Sequence, residues 1–214
     1  TLADLEKLAK AGIAEASIVE MMRTRKVLTL ASADNLITLK AAGATDAMVS
    51  AMSAYAVAPN DGFDLAIRVD VKSPESVRLA PYLYVEVWHV DKNRQEAMLH
   101  ADLRGLFAQG KAVVQRDRSD PLLPDTIRTV RFQTRVRTRH AGRLELRVHL
   151  SQKPGLLTLT GADGKSSETV KTYPVQYPAV SLDSRCTLDL AARRDQLLAD
   201  RFGLTTGRLD CRWD

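Results

Sequence analysis

The sequence predicts an α+β protein: a small four-helix module built from two repeats, followed by an antiparallel β-sandwich-like domain that ends in a helix. Three observations carry that expectation. The first 57 residues contain an internal repeat, hydrophobic spacing changes to two-residue alternation just beyond Pro59, and helical spacing returns after Leu188. The expected organisation is a helical module over residues 1–57, a linker at 58–62, the sandwich over 63–180 and a helical tail over 181–214.

The repeat has an offset of 31 residues. It sets LEKLAKAGIAEASIVEMM, from Leu5 to Met22, against LITLKAAGATDAMVSAMS, from Leu36 to Ser53. Leu5 meets Leu36, Leu8 meets Leu39, Gly12 meets Gly43, Ile18 meets Val49 and Met21 meets Met52. Leucines three apart share a helical face, and a glycine after them suits the left-handed residue that ends a helix. Thr1 and Ser32 are N-cap residue types at the start of each unit. One helical pair cannot bury its own apolar stripe, so two units are expected to pack together. The shared pattern, Leu-x-x-Leu-x-x-Ala-Gly followed by Ala-x-Ile/Val-x-x-Met, resembles a duplicated helical hairpin near the N-terminus of some secreted bacterial proteins and lipoproteins. That resemblance implies a packing or interaction module. A DNA-binding helix-hairpin-helix needs a Gly-apolar-Gly turn, whereas Gly12-Ile13-Ala14 and Gly43-Ala44-Thr45 each lack the second glycine. Nucleic acid is therefore not an expected partner.

Beyond the linker, Phe63, Leu65, Ile67, Val69 and Val71 alternate with polar residues, as in a strand with one buried face. Ser73-Pro74-Glu75-Ser76 reads as a turn. The run Tyr82–Val90 is apolar on both parities, as in a central strand covered on both sides. Asp91–Arg94 reads as a hairpin turn, the stretch 98–107 fits strand or short helix, Lys111–Gln115 fits a strand, and 115–125 a polar loop. Val130–Arg137 and Leu144–Leu150 alternate strongly and, joined by Thr138–Gly142, predict one antiparallel hairpin. Short strands are expected at Leu156–Thr160, turned by Ala162-Asp163-Gly164, and at Val170–Val175. Leu188, Ala191, Leu197, Leu198 and Arg201 suggest a helix stopped by Gly203.

Lys and Arg number 31 against 26 Asp and Glu, a net charge of +5 too mild to name a partner. No apolar run reaches the roughly 18 residues of a membrane span. The chain opens on Thr1 rather than Met, which leaves room for a signal or lipid-attachment segment ahead of it. Both cysteines, Cys186 and Cys211, fall in the last 30 residues, which predicts a disulfide pinning the tail and an extracytoplasmic location, periplasm or cell surface.

No nucleophile elbow, phosphate loop or dinucleotide glycine cluster is present, and none of His89, His100, His140 and His149 are paired at helical metal-binding spacing. No cofactor, metal or catalytic set is expected. Asp91, Asp117 and Asp120 are ordinary loop acids. Two surfaces carry candidate chemistry. Arg131, Arg135 and Arg137 beside Arg143 and Arg147 would make a cationic hairpin face for an acidic protein, anionic glycan or lipid headgroup. Tyr82, Tyr84 and Trp88 share one parity and would offer an aromatic face to a sugar. The expected function is that of a non-catalytic extracytoplasmic interaction or assembly protein. The alternatives are a glycan- or anion-binding module and an enzyme with a dispersed site.

Overall fold

The structure is a computed structural model; it describes residues 1–74, 80–117, 125–161, 169–194 and 201–213. Chain contacts divide it into two compact units. One holds Thr1–Asp61, Pro178–Asp183 and Trp213–Asp214, the other Gly62–Tyr177 and Ser184–Arg212.

The first unit carries four helices, α1 (Leu2–Lys10), α2 (Glu15–Arg25), α3 (Ala33–Ala41) and α4 (Asp46–Tyr55). Gly12, at φ +67°, follows α1, and Gly43, at φ +95°, follows α3, a conformation that costs a residue with a Cβ. At the start of α1 the Asp4 carboxylate accepts from the Thr1 hydroxyl at 2.6 Å. Ser32 and Thr45 cap α3 and α4, accepting from the amides of Asn35 and Met48. Leu5, Ile18, Met22, Val27, Leu39, Met48 and Met52 are its buried centre. The two halves bury different repeat positions: Leu5 is buried but Leu36 only in part, and Met52 is buried but Met21 only in part. The Asn60 side chain donates to Pro178 O at 3.1 Å and Ser181 Oγ at 2.9 Å, tying residues 178–181 to this unit.

The second unit is mostly β. Its strands are β1 (Gly62–Pro74), β2 (Tyr82–His89), β3 (Arg94–Asp102), β4 (Val113–Asp117), β5 (Asp125–Arg137), β6 (Gly142–Ser151), β7 (Lys171–Tyr177), β8 (Arg185–Arg194) and β9 (Phe202–Arg212). A short helix, α5 (Leu103–Ala108), follows β3, so the ambiguous stretch 98–107 is strand and then helix. The strands form a five-stranded sheet, β4-β5-β1-β8-β9, and a four-stranded sheet, β3-β2-β6-β7. Phe63, Leu65, Ile67, Val69 and Val71 of β1 are buried, as are Leu83, Val85 and Val87 of β2 and Leu144, Leu146 and Val148 of β6. Phe63 of one sheet meets Tyr177 of the other with ring centroids 5.7 Å apart, so these apolar faces share a core. This is a β-sandwich-like arrangement.

Five expectations are corrected. The hairpin over 130–150 does not form: β5 pairs with β1 and β4, while β6 pairs with β2 and β7 in the other sheet. Two strands that each bury one face satisfy the same alternation whether they lie side by side or on facing sheets, so periodicity could not distinguish the cases. The sandwich is not wholly antiparallel, since β1 runs parallel to β8. The C-terminal helix is replaced by β8 and β9; Leu197, Leu198 and the rest of 195–200 lie outside the described residues. Cys186, Leu188, Leu190 and Ala192 are all buried, a two-residue period that docking against β1 enforces over the helix propensity of Leu, Ala and Arg. Finally, Leu156–Leu159 is not a strand but a covering segment, and Ser73 and Pro74 belong to β1. The turn residues Ala162-Asp163-Gly164, together with Glu75, Ser76 and Asp120, lie outside the described residues.

Candidate functional site

The expected cationic face is split between the sheets. Arg131, Arg135 and Arg137 project from the exposed side of β5, where the register sets Arg135 opposite Asp64 and Arg131 opposite Arg68. Arg135 reaches Asp64 at 3.4 Å, and Arg68 reaches Asp70 at 2.9 Å. Asp189 on β8 and Asp210 on β9 continue the same side, so acids interleave the arginines across the sheet. Arg143 lies on the four-stranded sheet, with its guanidinium 2.7 Å from Asp91. The backbone amide of Arg143 also donates to the Asp91 carboxylate, and that bond, ahead of the guanidinium's, holds the carboxyl below its usual range.

Arg147 is buried, not displayed. Its side chain donates to Glu145 at 2.6 Å and to Thr160 Oγ1 at 2.5 Å, and its guanidinium lies 4.8 Å from the centre of the Trp88 ring. The aromatic face is likewise closed: Tyr84 is 1% exposed and Trp88 9%. Tyr82 is half-buried, and the Tyr84 hydroxyl donates to Lys153 O at 3.1 Å. Tyr84 and Trp88 are thus packing residues and leave no aromatic platform for a sugar.

What covers them is the segment Lys153–Thr160, and it is latched by Glu86, which sequence reasoning passed over. Glu86 is fully buried on the same side of β2 as Tyr84 and Trp88. Its carboxylate accepts from Thr158 Oγ1 at 2.8 Å, from the Leu159 amide at 3.1 Å and from Thr160 Oγ1. Gln95, in the amide orientation that satisfies both its ends, adds a donor at 2.9 Å. Arg147 lies 4.0 Å away, so one buried carboxylate holds the covering segment down beside one buried guanidinium. The signal available was a lone acid in the apolar run Tyr82–His89.

At the β2–β3 turn, Glu96 accepts from Arg94 at 2.8 Å and from the Thr138 hydroxyl at 3.2 Å, with His140 3.3 Å away. Burial pushes the Glu96 carboxyl up, but bonds from Arg94 and His140 outweigh it and leave it below the usual value. His89 is buried and stacks edge-on against His140. No group of three metal-ligating side chains converges among the described residues.

Cys186 and Cys211 form a disulfide across β8 and β9, directly opposite each other in register. It joins two strands of one sheet, where the sequence suggested a pinned helix. At the other edge of that sheet, β4 is bonded, among the described residues, only through β5, and Val113 and Val114 are 58% and 59% exposed.

Neither a family model nor a curated protein matches this chain. Among solved structures, it is similar to a fimbrial assembly protein from Parabacteroides distasonis ATCC 8503, at 11% identity and a TM-score of 0.30. The alignment covers 59% of this chain and 53% of that one, about half its length. At that TM-score the likeness carries no argument. Among the described residues, no helix is long and apolar enough to cross a membrane.

Proposed function

We infer that this chain is a non-catalytic, extracytoplasmic protein that works by binding other protein chains, and that β4 is its docking edge. The observation that carries the reading is the pair Val113 and Val114. Neighbouring residues of a strand point to opposite faces, yet both are more than half exposed, so β4 presents apolar surface on both sides of a backbone edge that no other described strand pairs. Sheet edges are ordinarily blunted by lysine, proline or a bulge. Here Arg116 and Asp117 stand at the far end of the strand and leave the valines unguarded. An extended segment added there gains main-chain hydrogen bonds and buries the remaining valine surface, roughly 2–3 kcal/mol for the pair.

Two further observations support the reading. The Cys186–Cys211 disulfide fits an oxidising compartment. The buried carboxylate of Glu86 has both oxygens occupied by the chain's own donors, which suits a structural acid rather than a reacting one. The helical unit, with its resemblance to hairpin modules of secreted proteins, supplies a second packing surface in this reading.

The test is a photocrosslinking residue placed at Val113 or Val114 in the native host, with a control at Arg131 on the exposed side of β5. The reading expects a defined protein adduct from the two β4 positions and none from Arg131, lost when the neighbouring valine is changed to Lys. Equal adducts at all three positions, or none at β4, would refute it.

A further inference from the structure

With the two residues before it, β4 reads Lys111-Ala112-Val113-Val114-Gln115-Arg116-Asp117. Lys111 is exposed and, among the described residues, has no ion pair. At the other end Lys72 is shared by two carboxylates, Asp117 at 2.6 Å and Asp125 at 3.4 Å. The run thus carries a cation at its start, valines in its middle and an acid at its end, which makes it complementary to its own reverse. The helix α5 is set back from this edge: it packs against β5 and β2, with Phe107 5.8 Å from the Arg128 guanidinium.

Symmetry restricts how two copies of this run can pair. Two identical strands pair antiparallel about a twofold axis normal to the sheet, and residues directly opposite each other share a face. Opposite residues must therefore come from the same side of β4. The register with β5 puts Val113 on the side of Arg131 and Arg135, and Val114 on the side of Val130 and Val136. Three registers remain that keep both valines in the ladder. Centred on Val113, the pairing sets Arg116 opposite Gly110, whose φ of +70° is not extended, and leaves Lys111 without an acid. Centred on Gln115, it sets Val113 against Asp117 and Val114 against Arg116. Centred on Val114, it sets Val114 against Val114, Val113 against Gln115, Ala112 against Arg116 and Lys111 against Asp117. Only this last register joins apolar to apolar and cation to acid.

We propose that the partner of the β4 edge is a second copy of this chain, joined β4 to β4 about a twofold axis at Val114, so that two five-stranded sheets become one continuous sheet. The proposal rests on the reading of β4 as a docking edge and adds the identity of the partner. An edge-only contact belongs with the small interfaces, so the association is weak and reversible.

The full chain is examined by sedimentation equilibrium from about 10 µM to about 1 mM, the range suited to a weak dimer. A monomer–dimer equilibrium is expected. Lys111→Glu should raise its dissociation constant about tenfold, because two attractive pairs become repulsive. Val114→Lys sets like charges opposite each other and should leave only monomer. Arg131→Glu, away from the edge, should associate as wild type. Opposite residues of such a pair have Cβ atoms about 5 Å apart. Under mild oxidation Val114→Cys should therefore link to itself, and Val113→Cys should link to Gln115→Cys when the two are mixed. Val113→Cys alone should link far more slowly, and Arg131→Cys not at all. A chain that stays monomeric, Val113→Cys linking to itself as fast as Val114→Cys, or association unchanged in Val114→Lys would each overturn the self-pairing. If photocrosslinks at Val113 and Val114 then join a different protein, the docking edge stands and only the second copy falls; with no adduct at all, both fall.

Discussion

Replacing Glu86 with Ala should detach the segment Lys153–Thr160 from the four-stranded sheet. The side chain is wholly buried, and its removal orphans the Leu159 amide, the Thr158 and Thr160 hydroxyls and part of the Arg147 environment at one stroke. Breaking a buried charge pair by deleting one partner costs about 3–5 kcal/mol, because the other charge stays behind. Arg147 keeps Glu145 at 2.6 Å, which places the expected loss near the lower end, about 3 kcal/mol. For a chain of this size that is a fall of roughly 6–12 °C in Tm. Glu86→Gln keeps one acceptor oxygen and should cost about half as much. Urea unfolding followed by tryptophan fluorescence suits the measurement, since Trp88 lies directly under the Arg147 guanidinium. Hydrogen exchange at Leu159 reports the latch itself. A Glu86→Ala protein within 0.5 kcal/mol of wild type, with the Leu159 amide still protected, would refute the reasoning.

Reducing the Cys186–Cys211 disulfide, or replacing both cysteines with Ser, should cost about 3.5 kcal/mol by the loop-closure argument for a separation of 25, read by urea midpoint with and without reductant. Leu188→Ala should cost about 2–5 kcal/mol while Thr187→Ala stays within about 0.5, the contrast between a core-facing and a solvent-facing strand position. Glu96 has a folded pKa below its unfolded value, so it stabilises the fold above the unfolded pKa near 4.5, and that contribution fades as pH falls through the folded value. Stability profiles from pH 6 to 3 should therefore fall less steeply in Glu96→Gln than in wild type. The His149 ring runs the same way for a different reason: burial lowers its pKa, so below about pH 6.5 the unfolded chain takes up the proton first and stability drops. In His149→Gln that part of the slope should vanish.

Legibility in the sequence followed how local the signal was. The α1–α4 elements, β1 and β2 were readable because their periodicity and glycine breaks lie within each segment. The cysteine pairing was readable from there being only two to join. What escaped depended on partners distant in the chain. Parallel pairing with β1 made β8 a strand despite its Leu-Ala-Arg composition. The placement of β5 and β6 on facing sheets took Arg147 away from Arg131 and Arg135 and buried it against Trp88. Glu86 alone left a trace, an acid where the flanking residues are apolar.

Whether β4 is a working edge is tested most directly by amide exchange across Val113–Asp117 in the protein isolated alone and in its native complex. Strand addition predicts that the β4 amides turned away from β5 exchange fast in the free chain and become protected in the complex, while those bonded to β5 are slow in both. Unchanged exchange at the outward amides, in a complex shown to be intact, would contradict the account.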